Sequence, residues 1–155
     1  MTIKPKISTT IACRVARLDR DRFNEAISGG FFKCAPNTIP GRARYFEPED
    51  MIAVCLYREL LEDGMTKERA GHIACKVSNA AKRHPEADYI SLVNTYFSEW
   101  GEAYPAEDVP KYEEWGEVYF GGTDIRKVTT FNVAKLRKLI EHYTKEELSY
   151  HGPED

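Results

Sequence analysis

Gly41-Arg-Ala-Arg-Tyr-Phe-Glu-Pro-Glu-Asp-Met-Ile52, with Leu60-Leu-Glu-Asp-Gly-Met-Thr-Lys-Glu-Arg-Ala70 close behind, decides how this chain is read. The first stretch has the pattern of a basic strand running into a nearly all-apolar helix. Pro48 suits the first turn of that helix, and Glu47, Glu49 and Asp50 complement its positive dipole end. Met51 to Leu61 is apolar on most sides, as a central buried helix is. Gly64 ends it and Thr66 caps a second helix, whose inner stripe is Ala70, Ile73, Ala74, Val77 and Ala81; Pro85 closes that helix.

Upstream, Ile11, Val15 and Leu18 recur at helical spacing, with Thr9 or Thr10 available as N-cap. Asp19 caps a second short helix with Phe23, Ala26 and Ile27 on one face, and Gly29-Gly30 ends it. Two short helices across a tight polar turn form a helix-turn-helix pattern. From Phe31 to Phe46, two aromatic-containing runs flank Pro36-Asn37 and Pro40-Gly41. This predicts a β-hairpin with a loop of about six residues, which would be a wing.

Downstream, Tyr89 to Phe97, Val118 to Phe120 and Lys127 to Phe131 are rich in β-branched and aromatic residues, with Gly121-Gly122 as a turn between the last two. A small antiparallel sheet is expected, although Ile90, Val93 and Phe97 also fit a helix face. Residues 98–115 read as a long loop. Asn132 caps an amphipathic helix of about 15 residues bearing Val133, Leu136, Leu139, Ile140 and Tyr143. Thr144 and Glu147 have capping-box spacing, so a last short turn of helix is expected after it.

The apolar fraction of 42% and charged fraction of 30% belong to a folded chain rather than a disordered one. No apolar run reaches the roughly 18 residues of a membrane span, and the N-terminus lacks the apolar core of a secretory signal, so a cytoplasmic location and no membrane partner are expected. The net charge of −3 conceals an asymmetry. Residues 1–84 carry 15 Lys and Arg against 10 Asp and Glu, a balance of +5; residues 85–155 carry 7 against 15, a balance of −8. Such a split suggests a nucleic-acid-facing front and a solvating or regulatory rear, the alternative being chance clustering of surface charge. Cys13, Cys34, Cys55 and Cys75 form no C-x-x-C pair, which speaks against zinc. Cys55 and Cys75 fall among apolar residues on expected helices, where a free cysteine behaves as a small hydrophobe; structural thiols are expected rather than a redox or metal sensor.

On the second short helix, the side opposite Phe23 presents Asp21, Asn24, Glu25 and Ser28, with Arg20 and Arg22 on the flanks. Asn pairs with adenine, Arg with guanine, and Glu accepts from cytosine, so these residue types suit a major-groove helix as well as an ordinary solvated face. Arg42 and Arg44 alternate with Ala43 and Tyr45, so a pleated strand puts both guanidiniums on one side, with Lys33 on the partner strand. Such a row can hold phosphates or enter a narrow minor groove; the alternative is an edge strand defended by charge.

Arg44-Tyr-Phe-Glu-Pro-Glu-Asp-Met resembles the MerR-family pattern of arginine, one residue, an aromatic, a polar pair and an acid before an apolar helix. Leu60-Leu-Glu-Asp-Gly-Met-Thr resembles that family's leucine-to-glycine turn into its next helix. The likeness covers about residues 9–83 and implies that Arg20, Arg22 and Asn24 lie on the recognition helix and Arg42 and Arg44 on the wing. Nothing after Pro85 resembles the family's long dimerisation helix or its effector-binding cysteines.

The expected fold is therefore α+β. A MerR-like winged helix-turn-helix over residues 1–84 precedes an acidic dimerisation or regulatory region over residues 85–155, made of a small antiparallel sheet and an amphipathic helix. The expected function is a sequence-specific regulator of transcription binding double-stranded DNA as a homodimer, with Leu136, Leu139, Ile140 and Tyr143 supplying the self-contact. Arg20, Arg22, Asn24 and Glu25 would read bases, and Lys33, Arg42 and Arg44 would hold backbone. An architectural, excisionase-like DNA-binding factor and a protein-interaction adaptor with a vestigial helix-turn-helix are the alternatives. No catalytic residue, metal or cofactor is expected, because His72, His84, His142 and His151 lack ligand spacing and adjacent carboxylates such as Glu113-Glu114 and Glu146-Glu147 point apart.

Overall fold

A computed structural model describes residues 5–151. Two residues, Ile7–Ser8 (β1), lead directly into the first helix, Thr9–Ala16 (α1). The α1 N-cap is Ser8, whose hydroxyl accepts from the Ile11 amide at 3.2 Å, one residue before the expected threonines. The cap moves because Ser8 still has the extended backbone of β1, and an N-cap requires that conformation. Arg17 ends α1 in the left-handed region at φ 58°, so α1 stops short of Leu18. Three residues later Arg20–Ser28 (α2) begins, with Asp19 Oδ2 accepting from the Arg22 amide at 3.0 Å, as its spacing predicts.

The expected wing is not formed. The Phe31 and Phe32 amides both donate to the Ala26 carbonyl, at 2.9 and 3.2 Å, so the chain folds back over the end of α2. Phe32 enters the core against Phe23 and Tyr57, with ring centroids 5.0 and 5.4 Å away. Residues 29–44 contain no strand. Only Tyr45–Phe46 (β2) is extended, and it pairs antiparallel with β1, Ile7 opposite Phe46. A ring that reaches the interior gains far more by burial than by lying on an exposed ribbon, about 2 kcal/mol or more for a phenylalanine.

The following helices are as the sequence predicts. Met51–Glu62 (α3) follows a 3-10 turn at Pro48–Asp50, and Lys67–Arg83 (α4) starts at Thr66, whose hydroxyl accepts from the Arg69 amide at 3.2 Å. The second half is a three-stranded antiparallel sheet in the order Glu102–Pro105 (β4), Tyr89–Thr95 (β3), Ile125–Asn132 (β5). Thus the expected 98–115 loop instead contains β4 and two 3-10 turns, Ala106–Asp108 and Tyr112–Glu114. Val118 to Phe120 makes only a single bridge, Phe120 to Thr123, around the Gly121-Gly122 turn. Asn132 Oδ1 accepts from the Lys135 amide at 3.0 Å and opens Val133–His151 (α5). This helix runs 19 residues, with Thr144 buried in mid-helix rather than starting a new turn.

One apolar cluster joins the two halves. Ile90 and Leu92 of β3, Ala103 of β4 and Val133 and Ile140 of α5 pack with Ile11, Ile52, Val54, Ile73 and Val77. The expected boundary at residue 84 therefore falls inside a shared core. Arg137 fastens it, donating to the carbonyls of Ala87 at 2.8 Å and Ala81 at 3.1 Å while its Nε lies 3.4 Å from Glu49. Among the described residues no helix is long and apolar enough to cross a membrane, and no His, Cys, Asp and Glu are grouped as metal ligands.

Candidate nucleic-acid interface

α2 owes its orientation to Phe23 and Ala26, which are buried, and that burial turns Arg20, Arg22, Asn24 and Glu25 to the solvent. The three-residue connection makes α1 and α2 a compact pair, and the left-handed Arg17 sets the angle between them. Holding a non-glycine residue there costs about 1 kcal/mol, which the surrounding packing offsets.

A groove of about 420 Å³ runs beside α2, and Arg22 shares it with Arg17, Arg58 and Lys67. Arg58 is joined to Glu62 at 2.7 Å and Asp19 also lines the groove, so the four cations outnumber two carboxylates there. Arg17, Arg58 and Lys67 were not among the residues the sequence singled out. Arg17 is close to Arg22 through the short α1–α2 connection, whereas Arg58 and Lys67 reach it only by the packing of α3 and α4, which no local period encodes.

The opposite end of α2 opens on a second cleft of about 340 Å³, lined by Gly29, Gly30, Phe31, Lys33, His72, Lys76 and Trp100 among others. Lys33 thus lies beside the end of α2, exposed, though on a loop instead of a strand. Arg42 is also exposed. Arg44 is half-buried and its Nη1 donates to the Pro36 carbonyl, so it braces the loop rather than standing in a row with Arg42. Without the wing strand, pleating no longer places the two guanidiniums on one side.

The loop itself is held tightly. Cys34 is disulfide-bonded to Cys75 of α4, which corrects the expectation that Cys75 is a free thiol. Gly71, one turn earlier, lies so close to the Phe31 backbone that a Cβ there would overlap the Phe31 carbonyl oxygen. Cys55 remains free, and burial pushes its thiol up to about 12.

The intended self-contact stripe is divided by the fold. Ile140 is in the core and Leu136 packs against it, whereas Leu139 and Tyr143 stay exposed on the rim of a groove between α1, α3 and α5. Glu113, Glu114, Glu146 and His142 are exposed, with His142 3.6 Å from Glu146, whereas Glu147 is half-buried.

No family model matches this chain, and no curated protein matches it either. The functional reading therefore rests on the geometry above.

Proposed function

We propose that this protein is a sequence-specific double-stranded DNA-binding regulator of transcription, acting in the cytoplasm as a homodimer. The observation that carries the reading is α2: a short helix held by Phe23 and Ala26 that offers Arg20, Arg22, Asn24 and Glu25 outward. Two clefts flank it, one lined by Arg17, Arg58 and Lys67 and the other by Lys33. A helix that reads bases needs cations on both sides to hold the phosphates that border the groove. Lys33, Arg42 and the Arg17–Lys67 groove take the backbone-holding role in this reading. Arg44 takes an indirect one, shaping the loop that carries Arg42. In this reading α1 and α2 are the helix-turn-helix, and a disulfide-bound loop stands where the MerR-like hairpin was expected. Self-association falls to Leu139 and Tyr143, the part of the stripe left outside the core.

Selection of bound fragments from a random duplex library by the full-length protein, at two salt concentrations, tests the proposal. Arg42→Ala is expected to weaken binding to all sequences and reduce the salt slope by about one, whereas Asn24→Ala relaxes preference at one base pair by about 1–3 kcal/mol. Retention that ignores salt would end the DNA reading.

One observation favours a protein-interaction adaptor instead. Phe97 (82% exposed), Tyr119 (76%) and Tyr96 (66%) stand out from the far end of the sheet, where large aromatic rings suit a protein partner. Unchanged DNA retention in a Phe97→Ser/Tyr119→Ser protein would assign that end a separate role.

A further inference from the structure

We propose that the Cys34–Cys75 disulfide is a reversible S-thiolation site, opened by a low-molecular-weight thiol that enters the cleft at Cys75, and that opening releases the 33–44 loop. Three observations point there. The first is access: Cys75 lines the 340 Å³ cleft between the end of α2, α4 and Trp100. At about 340 Å³ the cleft is within the size range of small-molecule sites.

The second is direction. Cys75 is buried, while Cys34 lies on the half-exposed loop; each adjoins a lysine in sequence, but Lys76 beside Cys75 is held by Glu102 at 2.8 Å. A thiolate leaves faster where solvent and a neighbouring cation stabilise it, and burial in apolar surroundings opposes its formation. Cys34 is therefore the better leaving group and Cys75 the sulfur attacked. The attacking thiolate forms a bond to Cys75 Sγ, the Cys34–Cys75 bond breaks, and its electron pair departs with Cys34. A second thiolate then attacks the small-molecule sulfur of the mixed disulfide, releasing the Cys75 thiolate and a symmetrical small-molecule disulfide. Two thiols are oxidised and one protein disulfide is reduced.

The third is selectivity and consequence. The other two cysteines stay out of the exchange, because Cys13 is buried and burial holds the Cys55 thiol near 12. The clamp joins residues 41 apart, and the cationic part of the loop, from Lys33 to Arg44, begins next to it. If the protein acts in the thiol-rich cytoplasm, as the proposed function holds, such a disulfide is more often a switch than a permanent strut.

The experiment uses the full-length oxidised protein and glutathione. Brief exposure, acid quenching and blocking of free thiols with N-ethylmaleimide precede peptide mapping by mass spectrometry. The expected result is glutathione on Cys75 and the blocking group on Cys34; glutathione on Cys34, or a disulfide that stays closed, overturns the proposal. Filling the cleft mouth with Asn79→Trp is expected to slow opening about tenfold, and an unchanged rate refutes entry through the cleft. Native trypsin cleavage after Lys33, Arg42 and Arg44 should rise about tenfold on reduction, and equally in Cys34→Ser without added thiol. A loop equally resistant in all forms would show that the bond does not hold it. None of these readouts involves DNA, so failure here is distinguishable from failure of the DNA-binding reading.

Discussion

Residues 29–44 and residues 106–124 are connections of similar length, each with aromatics, proline and turn glycines, yet the fold treats them oppositely. The first is fastened to the interior by Phe32 among Phe23 and Tyr57, by the Gly71 contact and by the Cys34–Cys75 bond. The second is held mostly by itself. Its Trp115 Nε1 donates to the Pro110 carbonyl at 2.9 Å and its Val118 amide to the Glu114 carbonyl at 3.1 Å. Its main outside anchor is Phe120, edge-on to Tyr104 of β4 at 4.8 Å, while Tyr112 and Tyr119 project into solvent. Turn-rich composition marks both as connections. What separates them is whether one ring finds a place among the helices.

The contrast can be broken most directly at Phe32. Phe32→Ala should cost about 4 kcal/mol in denaturant unfolding, the loss expected of a buried phenylalanine that leaves a cavity. A loss below about 1 kcal/mol would mean that the ring is not the anchor. Gly71→Ala comes next. Its methyl must displace the Phe31 backbone, and overpacking of this kind costs up to about 3 kcal/mol; a neutral effect would show that α4 and the loop are not in close contact. Phe120→Ala should be mildest, about 1 kcal/mol for one edge-to-face pair, and its thermal midpoint should stay closest to that of the parent protein. If Phe120 proved as costly as Phe32, the two connections would not differ in kind.

Local chemistry made much of this fold legible. Asp19, Thr66 and Asn132 each cap the helix they were expected to cap, because a cap is decided by a side chain and an amide three residues away. The outward face of α2 was readable for the same reason, since helical periodicity alone opposes Asn24 to Phe23 and Ala26. The wing was not readable. Alternating Arg42, Ala43, Arg44 and Tyr45 look like a strand, but a strand needs a partner, and Phe31 and Phe32 were already committed to α2 and the core. The Cys34–Cys75 pairing spans 41 residues and leaves no local trace. β4 was missed because Glu102-Ala-Tyr-Pro105 is short, begins with an acid and ends in proline, leaving Tyr104 as its one strand-favouring residue. Thr144 misled for a simpler reason. A threonine and a glutamate three apart signal a cap only where the backbone is extended, and here the helix runs straight through them.

Arg137 has a practical corollary for anyone cutting the gene. Because its guanidinium is shared among Ala81, Ala87 and Glu49, and Ile140 lies in the core shared with Ile11, α5 acts as a roof over the front of the molecule. A fragment ending at residue 84 would lose that roof and bare a greasy seam along α1, inviting clumping that imitates genuine self-association.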